Sequence, residues 1–173
     1  ATLLLTGLTG AGKSSIAWAL ERRLFDAGRT AVVLDGENLR LGISRDLGFS
    51  APERSENMRR AAELARLLNE SGLLCIVALS APEAGVRERA RQRIGPEQFI
   101  EIWVDAPLDV CRQRAPEMYA RAQSGEIEGF PGISSAYEAP SRPDLVLPTD
   151  QLEIDACVDR IVRYLAQRGL IAP

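Results

Sequence analysis

Five short apolar runs punctuate the chain: Leu3 to Thr6, Ala31 to Asp35, Leu73 to Leu79, Phe99 to Asp105 and Asp144 to Leu147. They are nearly continuous rather than alternating, the pattern of strands covered on both faces. Between them, apolar positions recur at helical spacing. This predicts helices over Lys13 to Ala27, Pro52 to Ser71, Pro82 to Ile94, Pro107 to Arg114 and Asp150 to Arg168. Gly28, Gly72 and Gly169 stand just past three of those helix ends, as helix stops do. Alternation of strand and helix predicts an α/β fold, a doubly wound five-stranded parallel sheet with helices on both faces and right-handed crossovers. The stretch 115–143 has no clear period. It holds Gly125, Gly129, Gly132, Pro131, Pro140 and Pro143, yet also Tyr119, Phe130 and Tyr137. A long aperiodic stretch with aromatics predicts a lid rather than disorder.

Composition narrows the function classes. At 173 residues, 46 % hydrophobic and 26 % charged, the chain fits one domain, 1–173, with a sizeable core. Its net charge of −3 is spread over many acids and bases, so no nucleic-acid surface is advertised. No apolar run reaches the roughly 20 residues that span a bilayer, so no membrane partner is expected. Cys75, Cys111 and Cys157 are far apart and no histidine exists. That removes histidine as a general base, argues against a zinc site, and leaves a reducing cytoplasm as the expected compartment. Ala1 opens almost directly into the first run, which suggests a domain drawn from a longer polypeptide. Of the 21 basic residues one is a lysine, Lys13.

That lysine lies in the strongest motif. Gly7-Leu8-Thr9-Gly10-Ala11-Gly12-Lys13-Ser14, followed by Ser15, fits G-x-x-x-x-G-K-[ST] between a strand and a helix. Such glycines let backbone N–H groups turn toward phosphate oxygens, and the helix N-terminus adds partial positive charge. The motif assigns Lys13 to the β- and γ-phosphates of ATP and the Ser14 hydroxyl to Mg²⁺. A P-loop identifies a nucleotide, not a reaction. The short chain and the Gly/Pro-rich stretch favour a small-molecule kinase over a motor or a signalling switch.

Asp35-Gly36-Glu37-Asn38-Leu39-Arg40 follows the second strand. Carboxylates at that strand end lie where Mg²⁺ and an attacking hydroxyl meet, so Asp35 is a candidate base and metal-positioning group, with Glu37 beside it. Either acid serves equally as a helix cap or a turn residue. Arg40 and Arg54 are placed to clamp a sulfate or phosphate, and Asn57 falls one turn from Arg54 on the same predicted helix. Phe49 and Phe130, both in loops, can sandwich an adenine or act as buried anchors.

These residues resemble the adenylylsulfate kinase (APS kinase) family. The resembling blocks are GLTGAGKSS from Gly7, DGENLRLGISRDLGFS from Asp35, ERSENMRR from Glu53, FIEIWVDAPLDVCRQR from Phe99, SGEIEGFPGISSAYEAP from Ser124 and LVLPTD from Leu145. The resemblance implies phosphorylation of the ribose 3′-hydroxyl of adenosine 5′-phosphosulfate by Mg·ATP. It also implies strand order 2-3-1-4-5, a substrate site of Arg40, Phe49, Arg54, Asn57 and Phe130, and a nucleophile-like serine at Ser80. A water-excluding lid, a homodimer and a fused ATP sulfurylase follow in the same way. The chain departs from the family pattern at Glu37 (family Asp), Leu41 (His) and Ser44 (Asn). In the lid, Arg114-Ala115-Pro116-Glu117-Met118-Tyr119 is one residue shorter than the family stretch and holds none of its lysines, which leaves Arg114 and Arg121 as the substitute cations. Two rivals stay open: another small-molecule P-loop kinase, and a non-catalytic nucleotide-binding domain that regulates a larger enzyme.

Overall fold

The computed structural model describes residues 1–172. Strands β1 (Thr2–Thr6), β2 (Ala31–Asp35), β3 (Leu74–Ala78), β4 (Phe99–Asp105) and β5 (Leu145–Pro148) form one parallel sheet in the order β2-β3-β1-β4-β5. Helices α1 (Lys13–Asp26), α2 (Gly36–Leu41), α3 (Ala51–Glu70), α4 (Ala84–Ile94), α5 (Leu108–Arg114), α6 (Pro116–Gln123) and α7 (Ile154–Gln167) cover it.

The continuous apolar runs have a direct cause. Side chains alternate across a strand, and here each face has its own core. Leu3, Leu5 and Ile76 pack with Ile16, Leu20 and Ile161 of α1 and α7. Leu4, Cys75 and Val77 pack with Met58, Ala61 and Val86 of α3 and α4. Each fully buried Leu or Ile contributes about 1.5–3 kcal/mol relative to exposure. The three predicted helix stops, Gly28, Gly72 and Gly169, all have left-handed φ.

Two helices escaped the periodicity. Helix α2 is six residues long and starts from Asp35, whose side chain accepts the Asn38 N–H while the Asn38 side chain accepts that of Asp35. Such reciprocal capping supports a helix too short to show a period. Helix α6 lies inside the stretch expected to be a lid. Pro116 opens it, and Tyr119 and Ala122 are buried one turn apart. Residues 124–143 hold only an isolated bridge between Pro131 and Ser135, but Ile127 and Phe130 are buried in the core. No described helix is long and apolar enough to cross a membrane.

The parallel sheet puts all five carboxyl ends on one edge. The loops after β1, β2 and β3 therefore open onto common ground, where the strand order reverses and ligands bind in folds of this type.

Candidate active site

The loop between β1 and α1 lies hard against its neighbours. A Cβ on Gly7 would stand 2.3 Å from the Val104 carbonyl oxygen, and one on Gly10, with φ +85°, 2.6 Å from that of Cys111. Only glycine fits at either position. The loop's carbonyls are held from outside: the Tyr119 hydroxyl donates to Thr9 O at 2.7 Å and Thr149 Oγ1 to Ala11 O at 2.7 Å. The first-turn N–H groups of α1 thus stay available for anionic oxygens. Lys13 Nζ donates to Gly7 O at 2.9 Å and Leu8 O at 2.8 Å. Burial pushes this ammonium's pKa down to about 8. Ser14 and Ser15 follow Lys13 in the first turn of α1 and are exposed.

A cavity of about 380 Å³ opens from this cradle and is lined by Lys13, Ser14, Glu37, Arg40, Phe49, Arg54, Asn57, Ser80 and Phe130, among others. The two acids of the second strand's end divide. Glu37 is exposed and lines the cavity, whereas Asp35 is 5 % exposed behind it. Asp35 Oδ1 accepts from the Asn38 N–H at 2.8 Å and Oδ2 from Trp18 Nε1 at 3.0 Å. Asp35 is thus a helix cap, with one lone-pair site used on each oxygen.

Across the cavity, the Arg40 guanidinium lies 4.2 Å over the Phe49 ring, and Arg54 Nη1 donates to Phe49 O at 2.7 Å. Burial, then the charge of Arg54, lowers the pKa of Arg40, and burial lowers that of Arg54. Arg40 Nε, Arg54 Nε and Asn57 Oδ1 are buried without a hydrogen-bond partner. Each such atom costs about 1–3 kcal/mol. Concentrated at one cavity with two guanidinium charges, they describe a receptor for an anion that also brings a donor for Asn57.

The cavity wall at Ser80 is strained. Ala81 has φ +42°, the one non-glycine among the described residues with positive φ. That conformation costs on the order of 1–3 kcal/mol and persists only where contacts enforce it. The Thr6 hydroxyl donates to Ser80 O at 2.6 Å and shares a 2.9 Å hydrogen bond with the Tyr137 hydroxyl.

The structure brings Arg40, Phe49, Arg54, Asn57 and Phe130 to this cavity with Thr9, Gly10, Gly12, Lys13, Ser14, Ser15 and Ser80. Gly7 and Ala11 form the buried underside of the loop. Arg114 is elsewhere: it lines a second cavity of about 330 Å³ with Ala11, Gly12, Ser15, Thr149 and Asp150, and its Nη2 donates to Thr149 O at 2.6 Å. Phe130 is buried edge-on against Tyr119, ring centroids 5.0 Å apart. Sequence reasoning did not single out Thr149, Met118, Ile127 or Pro131 as wall residues. Ile127 and Pro131 carried a signal in the block that starts at Ser124, and Thr149 in the block Leu145-Val146-Leu147-Pro148-Thr149-Asp150.

The family model for adenylylsulphate kinase matches residues 1–148. An adenylyl-sulfate kinase of Pseudomonas aeruginosa is 48 % identical, with 95 % of this chain and 85 % of that protein covered. A "bifunctional enzyme CysN/CysC" of Rhodopirellula baltica is 51 % identical over 99 % of this chain, which spans only 27 % of that relative. The structure of the Mycobacterium tuberculosis APS kinase CysC, in complex with AMPPNP and APS, superposes with a TM-score of 0.89 at 42 % identity, covering 95 % of this chain and 96 % of that one. The chain belongs to the adenylylsulphate kinase family.

Proposed function

We propose that this chain transfers the γ-phosphoryl group of ATP to the 3′-hydroxyl of adenosine 5′-phosphosulfate, giving 3′-phosphoadenosine 5′-phosphosulfate and ADP. The observation that carries this reading is the pairing, in one cavity, of a phosphate cradle with a second anion receptor. The cradle centres on Lys13 and the receptor on Arg40, Arg54 and Asn57 with their unpartnered atoms.

In this reading Gly7, Thr9, Gly10, Ala11, Gly12, Lys13, Ser14 and Ser15 hold the ATP phosphates. Arg114 lies at the nucleotide's far side. Arg40 and Arg54 take the acceptor's phosphosulfate, Asn57 a polar edge, and Phe49 and Phe130 the faces of its base. A bond forms between the ribose 3′-oxygen and the γ-phosphorus as the bond from that phosphorus to the β,γ-bridging oxygen breaks, and ADP leaves with that oxygen. The hydroxyl proton passes to the Asp35 carboxylate, whose oxygens each keep an open lone-pair site. Ser80 supplies a hydroxyl to the wall beside the acceptor.

The donor set also fits a magnesium ion. Ser14 and Glu37 offer oxygen ligands on the cavity, with Asp35 behind, and Mg²⁺ usually keeps several waters and takes phosphate oxygens for the rest. Bound there, it would neutralise charge on the transferring phosphoryl group. Lys13 does the same from the loop side, and the rest is positioning. The lid stretch 115–143 shields the cavity from water; Arg121, expected as a substitute cation, is instead exposed, pairs with Glu126 at 2.9 Å and does not line the cavity. A homodimer, a cytoplasmic location and fusion of the domain 1–173 to an ATP sulfurylase complete the reading.

ADP release from Mg·ATP, measured with and without adenosine 5′-phosphosulfate, tests it. Acceptor-dependent release that disappears in Lys13→Ala supports the reading. ATP binding with no acceptor-dependent release overturns it in favour of a regulatory domain, and release driven instead by another small alcohol redirects it to a different kinase.

A further inference from the structure

Arg87 opens a polar network that the reading above does not use. It lies in the first turn of α4 and is 3 % exposed. Its guanidinium donates in three directions: Nε to Glu101 Oε1 of β4 at 2.8 Å, Nη1 to Ala81 O at 2.7 Å and Nη2 to Glu138 O at 2.6 Å. Glu101 in turn accepts from Arg91 Nη2 at 3.2 Å. The two segments that Arg87 holds are also cross-linked to each other. The Glu138 N–H donates to Pro82 O at 2.8 Å, and the Ala84 N–H donates to Glu138 Oε2 at 2.8 Å.

We infer that Arg87 is a positioning residue that holds Ala81 in its left-handed conformation and fastens the Ser80 wall of the cavity to the end of the lid stretch at Tyr137–Glu138. The geometry is specific to a guanidinium. Three divergent donors, in one plane, meet a carboxylate and two backbone carbonyls in a buried site, whereas a lysine ammonium reaches at most one carbonyl beside Glu101. Ala81 is where enforcement is needed, because its φ of +42° is unfavourable for an alanine. Arg87 also explains why an arginine is buried at all: its charge is matched by Glu101, and each of its three nitrogens has a partner. The wall residues Leu79, Ser80 and Ala81 line the cavity, so their backbone sets the shape of the acceptor side. The inference rests on the phosphotransfer reading for its kinetic consequence, but not for the mechanical coupling itself.

Arg87→Lys keeps the charge opposite Glu101 and so keeps the fold, while removing at least one of the bonds to Ala81 and Glu138, so that no single side chain ties the two segments together. Two readouts follow. Amide exchange at Ala84 and Glu138, the two cross-linking N–H groups, quickens together by more than about tenfold. Exchange that is unchanged, or faster at one segment alone, overturns the inference whatever the chain's activity. In the ADP-release assay, Arg87→Lys lowers kcat about tenfold and raises KM for the acceptor, with KM for ATP within about twofold of the parent. Adding Ala81→Gly, which makes φ +42° free of side-chain cost, restores most of that loss. A parent without acceptor-dependent release removes the kinase reading and leaves the exchange result standing. An active parent with an equally active Arg87→Lys removes the inference alone, as does a loss that Ala81→Gly does not repair.

Discussion

The two ends of the cavity are built on opposite plans. The phosphate end comes from nine consecutive residues, Gly7 to Ser15, and their hydrogen bonds are largely made: Lys13, Tyr119 and Thr149 all close onto the loop's carbonyls. The acceptor end gathers α2, the loop before α3, α3 itself and the stretch after α6, and it leaves Arg40 Nε, Arg54 Nε and Asn57 Oδ1 unpartnered. A cradle for a polyphosphate needs backbone N–H groups and one ammonium, which a contiguous loop supplies. An adenosine carrying a charged tail needs flat faces and forked donors at several angles, and no single segment has that many directions. On the proposed reading, one end therefore takes its ligand with little change, while the other is completed by it.

The largest effect that separates the ends is loss of the lysine. Lys13→Ala removes the one ammonium of the cradle, and acceptor-dependent ADP release falls by about 10²–10³ or more, the cost of deleting a preorganised donor to developing charge. Steady-state kinetics across both substrates checks it. A loss confined to the acceptor's KM would contradict the assignment of Lys13 to ATP.

Arg54→Ala probes the other end. Its fork is charge-assisted, so the acceptor loses about 1.5–3 kcal/mol, or a KM rise of roughly 10- to 150-fold. KM for ATP stays within about twofold. Equal damage to both substrates would mean that Arg54 supports the fold around Phe49 rather than the ligand.

What could be read in advance follows the same division. The phosphate end was legible because eight residues in fixed order carry the whole device. Strands β1 to β4 were legible because they bury both faces almost throughout, and β4 runs over Phe99–Asp105 as its apolar run predicts; edge strand β5, with Val146 41 % exposed, was legible from its apolar run alone. Helix α6 was not, since eight residues with Tyr119 and Ala122 as its buried pair give little period. Asp35 shows a subtler limit: capping and catalysis call for the same residue type at a strand end, and the structure shows the cap without displacing the other role. Arg87 was invisible. Helix α4 carries Arg87, Arg89, Arg91 and Arg93 at alternate positions, and nothing in that pattern marks the one whose guanidinium is buried. The residues proposed for the acceptor, spread from Arg40 to Phe130, were picked out singly as forked cations and loop aromatics, and the family resemblance joined them into one site.

A smaller effect concerns pH at the phosphate end. Lys13 has its pKa lowered from 10.5 to about 8 by burial. Bound phosphates raise it again, so ATP affinity is flat below about pH 8 and weakens above it by up to tenfold per unit as the free protein's ammonium loses its proton. Stability runs the other way. Between about 8 and 10.5 the unfolded chain binds the extra proton, so this group's share of stability rises with pH in that window and is lost as pH falls through 8. Calorimetric titration of Mg·ATP beside melting curves, over about pH 7 to 9.5, checks both slopes. Parallel slopes would exclude Lys13 as their common source.

The smallest effect sharpens what preorganised means at the acceptor end. Arg40 lies 4.2 Å over Phe49, and its Nη2 donates to Gly48 O at 3.3 Å. Glu53 accepts from the Gly48 N–H at 2.9 Å and from the Ser50 hydroxyl at 2.6 Å, which fixes the turn that carries the ring. The ring is 46 % exposed, so its face toward Arg40 is set before any base stacks on the cavity side. Phe49→Leu keeps the apolar bulk and removes the π-face. A cation–π contact at an exposed site contributes about 0.5–1 kcal/mol, and a lost base stack adds a similar amount. KM for the acceptor should rise about five- to thirtyfold if the ring both steers Arg40 and stacks on the base, and about two- to fivefold if it only steers Arg40. Combining it with Arg40→Ala in a double-mutant cycle separates the two. Full additivity would mean that ring and guanidinium act on the acceptor independently. A coupling equal to the whole Phe49 effect would mean that the ring serves only to aim the fork.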